Sequence, residues 1–167
     1  MNKIKTYVIT LSMVFPESHT KAGRNTFFKE AITNGIEGDH EKYEYQHFKI
    51  HTVRNNYELW KKRIDEVNAG KAIISIRQWT GKPYRSKQTE IRQLNKAGIQ
   101  KLRSMDDYFA YSVSDKGNVL PIPLVLLSIN DGLELPDFKE WFKGSNPTPD
   151  KPMAIIHFTD FKYFDNL

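Results

Sequence analysis

The chain has 167 residues, a formal net charge of +5 and no cysteine, with 39% hydrophobic and 13% aromatic residues. That length and aromatic load support a folded core and argue against a disordered chain. The missing thiols exclude a disulfide scaffold, thiol catalysis and any cysteine-held zinc or iron–sulfur site.

In chain order, Tyr7, Ile9 and Leu11 alternate with Thr6, Val8 and Thr10, which predicts a strand over residues 5–12. Phe15-Pro16 and the polar stretch to Gly23 read as a loop, whose His19, Lys21 and Arg24 either close over a ligand or stay solvated. Phe27/Ala31 and Phe28/Ile32 pair at helical spacing, so a short helix is expected over 26–34, ended by Asn34-Gly35. Residues 36–46 are polar and read as a loop, and Phe48 to Arg54 as extended chain. Asn55-Asn56 offers an N-cap to an amphipathic helix carrying Tyr57, Trp60, Ile64 and Val67, with Gly70 past its end. Residues 72–79 predict a strand, Thr80-Gly81-Lys82-Pro83 a turn and 85–94 the return strand. A further strand is expected near Tyr108–Val113, then a hairpin turn at 115–118 leading to Val119-Leu120. Pro123 fits the first turn of a short helix through Leu127, closed by Asn130-Asp131-Gly132. A short helix over 136–143, a proline-rich loop over 145–152 and a final strand over 153–164 complete the chain. Short strands with a few short helices predict an α+β class, a small curled sheet or barrel with helices against it.

The charge is unevenly spread. Residues 71–103 hold nine basic side chains against the single acid Glu90, a local +8, whereas residues 104–167 sum to −5. Such a segment is either a solvated face or an electrostatic footprint for a polyanion. The longest apolar run, Leu120–Leu127, is broken by Pro121 and Pro123 and falls far short of the ~20 residues of a membrane helix. No signal-peptide core is visible near Met1, so a soluble cytoplasmic protein is expected, with no membrane partner.

Two stretches can carry chemistry. Lys49-Ile50-His51-Thr52-Val53-Arg54 packs four polar groups into six residues. On a regular strand Thr52 and Arg54 share one face, and Lys49 joins them only from a turn or bulge. Lys49 and Arg54 can bind an anion, and a desolvated Lys49 can activate the Thr52 hydroxyl; His51 is either a ligand contact or an ordinary strand residue. An edge strand with ordinary polar residues is the plainer alternative. In the second stretch, Trp79, Lys82, Tyr84, Arg85 and Lys87 surround a tight turn that can clamp a phosphate and stack a base. The alternative there is a hairpin turn with Trp79 in the core. His19, His40, His47, His51 and His157 lack metal-ligand spacing, so no metal is expected, and the absence of a P-loop or dinucleotide motif leaves no cofactor implied.

The Lys49, Thr52 and Arg54 spacing resembles the K-x-x-T-x-R pattern of the ASCH family, small β-barrel domains related to the PUA RNA-binding fold. The ordered elements that follow extend the likeness over residues 26–164: Gly70-Lys71 before Ala72–Trp79, Asn130-Asp131-Gly132-Leu133 before the Asp137–Phe142 helix, and a closing strand over Ala154–Phe164. The 36–46 stretch would be an insertion. The resemblance implies a single ASCH/PUA-like domain over 1–167, with a PUA-like barrel of about six mixed strands. It further implies binding of RNA or a nucleobase-containing ligand in a cleft, with Lys49, Thr52 and Arg54 on one side, Asp131 on the other, and Lys82, Arg85 and Lys87 on backbone phosphate. One branch of the family is an amidohydrolase of N4-acetylcytidine that uses a Lys, a Thr and a Glu. Lys49 and Thr52 match the first two, and Asp131 would take the acidic position with one methylene fewer. A metal-independent amidohydrolase of an acylated base or nucleoside is therefore the alternative function. A protein-interaction module meeting an acidic partner is the third.

Overall fold

The alternation of Tyr7, Ile9 and Leu11 forms a strand in the computed structural model, which describes residues 3–38 and 47–164. This strand, β1 (Lys5–Leu11), buries Ile9 and Leu11 and is followed by α1 (Phe28–Glu37). The helix runs past the expected stop at Asn34-Gly35. Gly35 lies inside it and faces the segment before β2: a Cβ there would sit 2.7 Å from Lys49 O and 3.0 Å from Ile50 Cγ2. The glycine serves a close backbone approach and does not end the helix. The expected 36–46 loop thus begins as helix at Ile36 and Glu37, and its remainder after Gly38 lies outside the described residues.

β2 (His51–Arg54) leads into α2 (Tyr57–Asn68). The Asn56 side chain caps α2 by accepting from Leu59 N at 3.1 Å, and Trp60, Ile64 and Val67 bury the predicted stripe. β3 (Ala72–Trp79) and β4 (Gln88–Leu94) form the predicted hairpin. β5 (Gly98–Met105) was not anticipated: Gln100, Lys101 and Arg103 mask the alternation, and Leu102 alone is fully buried. β6 (Phe109–Val113), β7 (Val119–Pro123), α3 (Leu124–Asn130), α4 (Leu135–Trp141) and β8 (Met153–His157) follow. The final strand is shorter than the expected 153–164. It ends at His157, the next N–H, of Phe158, donates to Ile50 O at 2.9 Å, and the chain turns back toward β2.

The ladders form two sheets. β1 pairs in parallel with β3, and β3 in antiparallel with β4. The second sheet is antiparallel throughout, in the order β2-β8-β5-β6-β7. All five residues of β8 are buried, as befits a strand covered on both faces. The α+β class therefore holds, with eight strands among the described residues where about six were expected. The ladders do not close into a barrel. α2 packs on β3, β5 and β8, and α3 on α4, β6 and β7.

Alanine ordinarily favours a helix interior over glycine by about 1 kcal/mol. At Gly35 the close contact with Lys49 reverses the sign: Gly35→Ala is expected to lower the unfolding free energy by about 1–3 kcal/mol. Urea titration of both proteins checks this, and a stabilised variant would contradict the close approach.

Candidate functional site

The site is built outward from Lys49, which precedes the β2 ladder. Its N–H donates to Ala31 O of α1, and the N–H of Ile50 to Asn130 O at the end of α3, each at 2.9 Å. Because its backbone bonds lie outside the sheet, Lys49 escapes the alternation that would turn it away from Thr52 and Arg54. The residue is 2% exposed. Its Nζ donates to Asp131 O at 2.6 Å and Asp131 Oδ1 at 3.0 Å, and lies 4.5 Å from the centre of the Phe28 ring. Asp131 caps the C-terminus of α3, so one ammonium serves a carboxylate and a helix-end carbonyl together. Gly132 turns the chain there with φ of 79°, and a Cβ on it would lie 3.1 Å from Lys49 Cβ.

β2 presents Thr52 and Arg54 on one face, as alternation requires. Arg54 Nε donates to Thr52 Oγ1 at 3.3 Å, and Nη2 donates to Thr10 O of β1 at 2.7 Å, bridging the two sheets. Among the described residues Arg54 has no ion-pair partner, while Lys49 has Asp131. The site therefore holds two cations against one carboxylate. Burial pushes the Lys49 and Arg54 pKa values down, and Asp131 offsets only part of this. Burial acts in the opposite sense on Asp131, but Lys49 and His51 outweigh it and hold the carboxyl below its ordinary range.

Lys49, Thr52, Arg54 and Asp131 line a cleft of about 310 Å³, and Trp79 and Tyr84 line the same cleft. Two stretches that spacing left separate thus meet in one place. The Trp79 and Tyr84 ring centres lie 5.3 Å apart. Tyr84 is 90% exposed and has φ of 63°, a left-handed conformation that costs a residue with a Cβ ~1–2 kcal/mol. A large aromatic ring is thus displayed to solvent on a strained backbone. Trp141 forms another wall, held edge-on by Phe15 and Phe28 at 5.7 Å each.

Other expected site residues lie elsewhere. His51 does not line the cleft: it is fully buried, its Nε2 lies 2.7 Å from Tyr163 Oη, and its Nδ1 lies 3.5 Å from Asp131 Oδ1. Its odd position on β2 turns it to the opposite face from Thr52. Lys82, Arg85 and Lys87 are exposed on the 80–87 turn, whose Pro83 and Tyr84 enter the cleft. Of the other basic residues in 71–103, Arg92 pairs with Glu37, Lys96 with Asp160 at 2.8 Å and Lys101 with Glu58 at 3.8 Å. Of the basic residues without an ion pair among the described residues, three stand together on that turn, while Lys71, Arg103 and Arg77, whose Nε donates to Ser75 Oγ at 2.9 Å on β3, lie apart from it. His19 is buried beside Phe15 and Lys21 pairs with Asp137 at 2.6 Å, so this loop docks on α4 and neither residue lines the cleft. Phe28, Trp141 and Phe142 line the cleft without having been expected there; in the sequence they read only as apolar helix faces.

No family model, curated protein or solved structure matches this chain. The site therefore rests on its own chemistry. Among the described residues no group of three or more His, Asp or Glu side chains is placed to hold a metal ion, and no helix is long and apolar enough to cross a membrane.

Removing one partner of a buried ion pair leaves the other charge stranded, at a cost of about 3–5 kcal/mol. Asp131→Asn is expected to lose that much stability by urea titration, and Lys49→Met with Asp131→Leu to lose less than Asp131→Asn alone. The Asp131 contribution is complete above the ordinary carboxylate pKa of 3.8 and disappears as the pH falls through its lower folded value, so the Asp131→Asn deficit shrinks in acid. A pH-independent deficit would contradict an ionised Asp131.

Proposed function

We propose that the cleft binds a nucleobase-containing ligand, RNA or a modified nucleoside, and that the chain is a divergent ASCH-like, PUA-related domain. The observation that carries this reading is one cleft lined both by two cations against a single carboxylate and by the Trp79–Tyr84 aromatic pair. A base offers what those groups lack: carbonyl oxygens for Lys49 and Arg54, an amino or imino proton for Asp131, and a π-face for Trp79 and Tyr84. The volume falls at the small end of ordinary ligand pockets. The three cations of the 80–87 turn follow a sugar-phosphate backbone leaving the cleft. In this reading the two sheets are a PUA-like barrel left open between β1 and β2, where Arg54 spans the gap to Thr10.

One observation favours the second reading, a metal-independent amidohydrolase: burial lowers the Lys49 pKa on the same wall as Thr52. There, neutral Lys49 would take the Thr52 proton as the hydroxyl oxygen attacks an acyl carbonyl, that proton would pass by way of Asp131 to the amine as the C–N bond breaks, and water would then release the acyl group from Thr52 as a carboxylic acid. Binding stays ahead because Lys49 Nζ donates to Asp131 and the Thr52 hydroxyl accepts from Arg54, so base and hydroxyl are not engaged with each other.

Affinity for a single-stranded RNA oligonucleotide is expected to fall with salt by ~0.7 log units per log unit of salt for each neutralised phosphate. Lys82→Ala with Arg85→Ala is expected to weaken binding and flatten that slope by roughly 1.4, two phosphates' worth. Absent binding at low salt, or binding that the double variant leaves untouched, contradicts the proposal. Cytidine release from N4-acetylcytidine, lost in both Lys49→Ala and Thr52→Ala, would place the hydrolase first.

A further inference from the structure

The polar groups behind Asp131 form a directed chain. Asn130 Nδ2 donates to Tyr163 Oη at 2.9 Å, so the tyrosine oxygen is already an acceptor and its own proton points to His51 Nε2 at 2.7 Å. His51 Nε2 therefore accepts, and the neutral imidazole carries its proton on Nδ1. The other side of the ring selects the same tautomer. Asp131 Oδ1 lies 3.5 Å from Nδ1, and a bare nitrogen lone pair there would face a carboxylate. Yet Nδ1 is sealed from solvent without a hydrogen-bond partner, because this contact is too long to be a hydrogen bond. Lys49 holds the same Oδ1 at 3.0 Å.

We infer that His51 is a positioning residue: as its Nδ1–H tautomer it is the reserve donor that takes over Asp131 Oδ1 when Lys49 turns from the carboxylate to a ligand. The takeover rests on the cleft being a ligand site, whereas the tautomer does not. Two of the three Lys49 N–H donors hold Asp131, and a ligand oxygen that draws the ammonium into the cleft loosens the longer contact, the 3.0 Å bond to Oδ1, first. An Nδ1–H that starts 3.5 Å from Oδ1 needs to move only about half an ångström to form a hydrogen bond, so the carboxylate keeps its charge and place when the ammonium leaves. The groups facing His51 are Asp131 from the end of α3, Lys49, Tyr163 from the tail, and His157 of β8, whose ring lies edge-on at 5.5 Å. Burial keeps His51 neutral against the pull of Asp131, and His157 is pushed down to about 3 by its own burial.

His157 supplies an internal control of opposite hand. Its Nε2 lies 2.8 Å from Gln100 Oε1, which also accepts from Tyr163 N, while Gln100 Nε2 donates to Tyr163 O. That amide is therefore fixed, and His157 carries its proton on Nε2.

The test is nitrogen-15 NMR of the full chain labelled at histidine. At neutral pH, His51 is expected as Nδ1–H and His157 as Nε2–H, both uncharged, and Tyr163→Phe shifts His51 toward a tautomer mixture. An Nε2–H signal for His51 in the unaltered protein overturns the proposal. Lys49→Gln tests the takeover without any ligand: His51 Nδ1–H closes on Asp131 and its proton resonance moves downfield, and an unmoved resonance overturns the takeover. With a single-stranded RNA oligonucleotide as probe, an asparagine amide stands near Nδ1 and a glutamine amide near Nε2. His51→Asn is expected to keep affinity and His51→Gln to lose ~10-fold, the worth of one charge-assisted hydrogen bond. Equal losses in both overturn the takeover. RNA that fails to bind the unaltered protein counts against the nucleobase cleft, while the two NMR measurements still decide the role of His51.

Discussion

A lysine ammonium sealed from solvent must have partners, and the Lys49–Asp131 contact is the constraint around which this molecule is arranged. Supplying those partners recruits two separate parts of the chain, α1 and the end of α3 with the turn that follows it. α3 ends where its terminal carbonyl and the Asp131 carboxylate both reach Nζ. α1 brings the Phe28 ring over the ammonium and, at Gly35, gives up a side chain so that the Lys49 backbone can come close. Gly132 turns the chain past the lysine stem, where another side chain would collide. Each of these local choices makes sense only in the presence of the others, as expected when local and global structure agree.

Stability alone is a weak reason to build such a centre. A buried ion pair is often no better for stability than well-packed apolar residues of the same volume. What the pair supplies is a fixed carboxylate and a fixed ammonium, held on helix-end and strand-start backbone and backed by His51 and Tyr163. Arg54 adds a second cation that neutralises no carboxylate but joins β2 to β1. The resulting excess of positive charge, together with the exposed Tyr84 and the cations of its turn, is a feature that a ligand with oxygen acceptors and a flat ring would satisfy.

Much of the scaffold was legible in the amino-acid order. The strong periods of β1, α2 and β3 and the caps at Asn56 and Gly70 are local signals, and they formed as expected. β5 was hidden because polar side chains blur its alternation, although it lies between β8 and β6 in the middle of its sheet. The end of α1 was misplaced because Gly35 answers to Lys49, a residue well beyond it in the chain. The tail after His157 read as more strand, since nothing local says that Tyr163 folds back to His51. The same distinction applies to the site. Lys49, Thr52 and Arg54 stand close together and could be grouped by spacing, with Lys49 requiring the off-ladder position that it has. That Trp79, Tyr84 and Trp141 would share their cleft depends on how the two sheets and α4 pack, which no local pattern records.

The three tryptophans divide the molecule in a way that makes the central claim directly measurable. Trp79 and Trp141 line the cleft, whereas Trp60 is buried in the apolar face of α2. Titrating a single-stranded RNA oligonucleotide into nitrogen-15-labelled protein and following the three indole N–H resonances locates the ligand in one experiment. A nucleobase in the cleft shifts Trp79 and Trp141 and leaves Trp60 in place; saturable binding that moves neither Trp79 nor Trp141 would show that the cleft is not where the ligand goes.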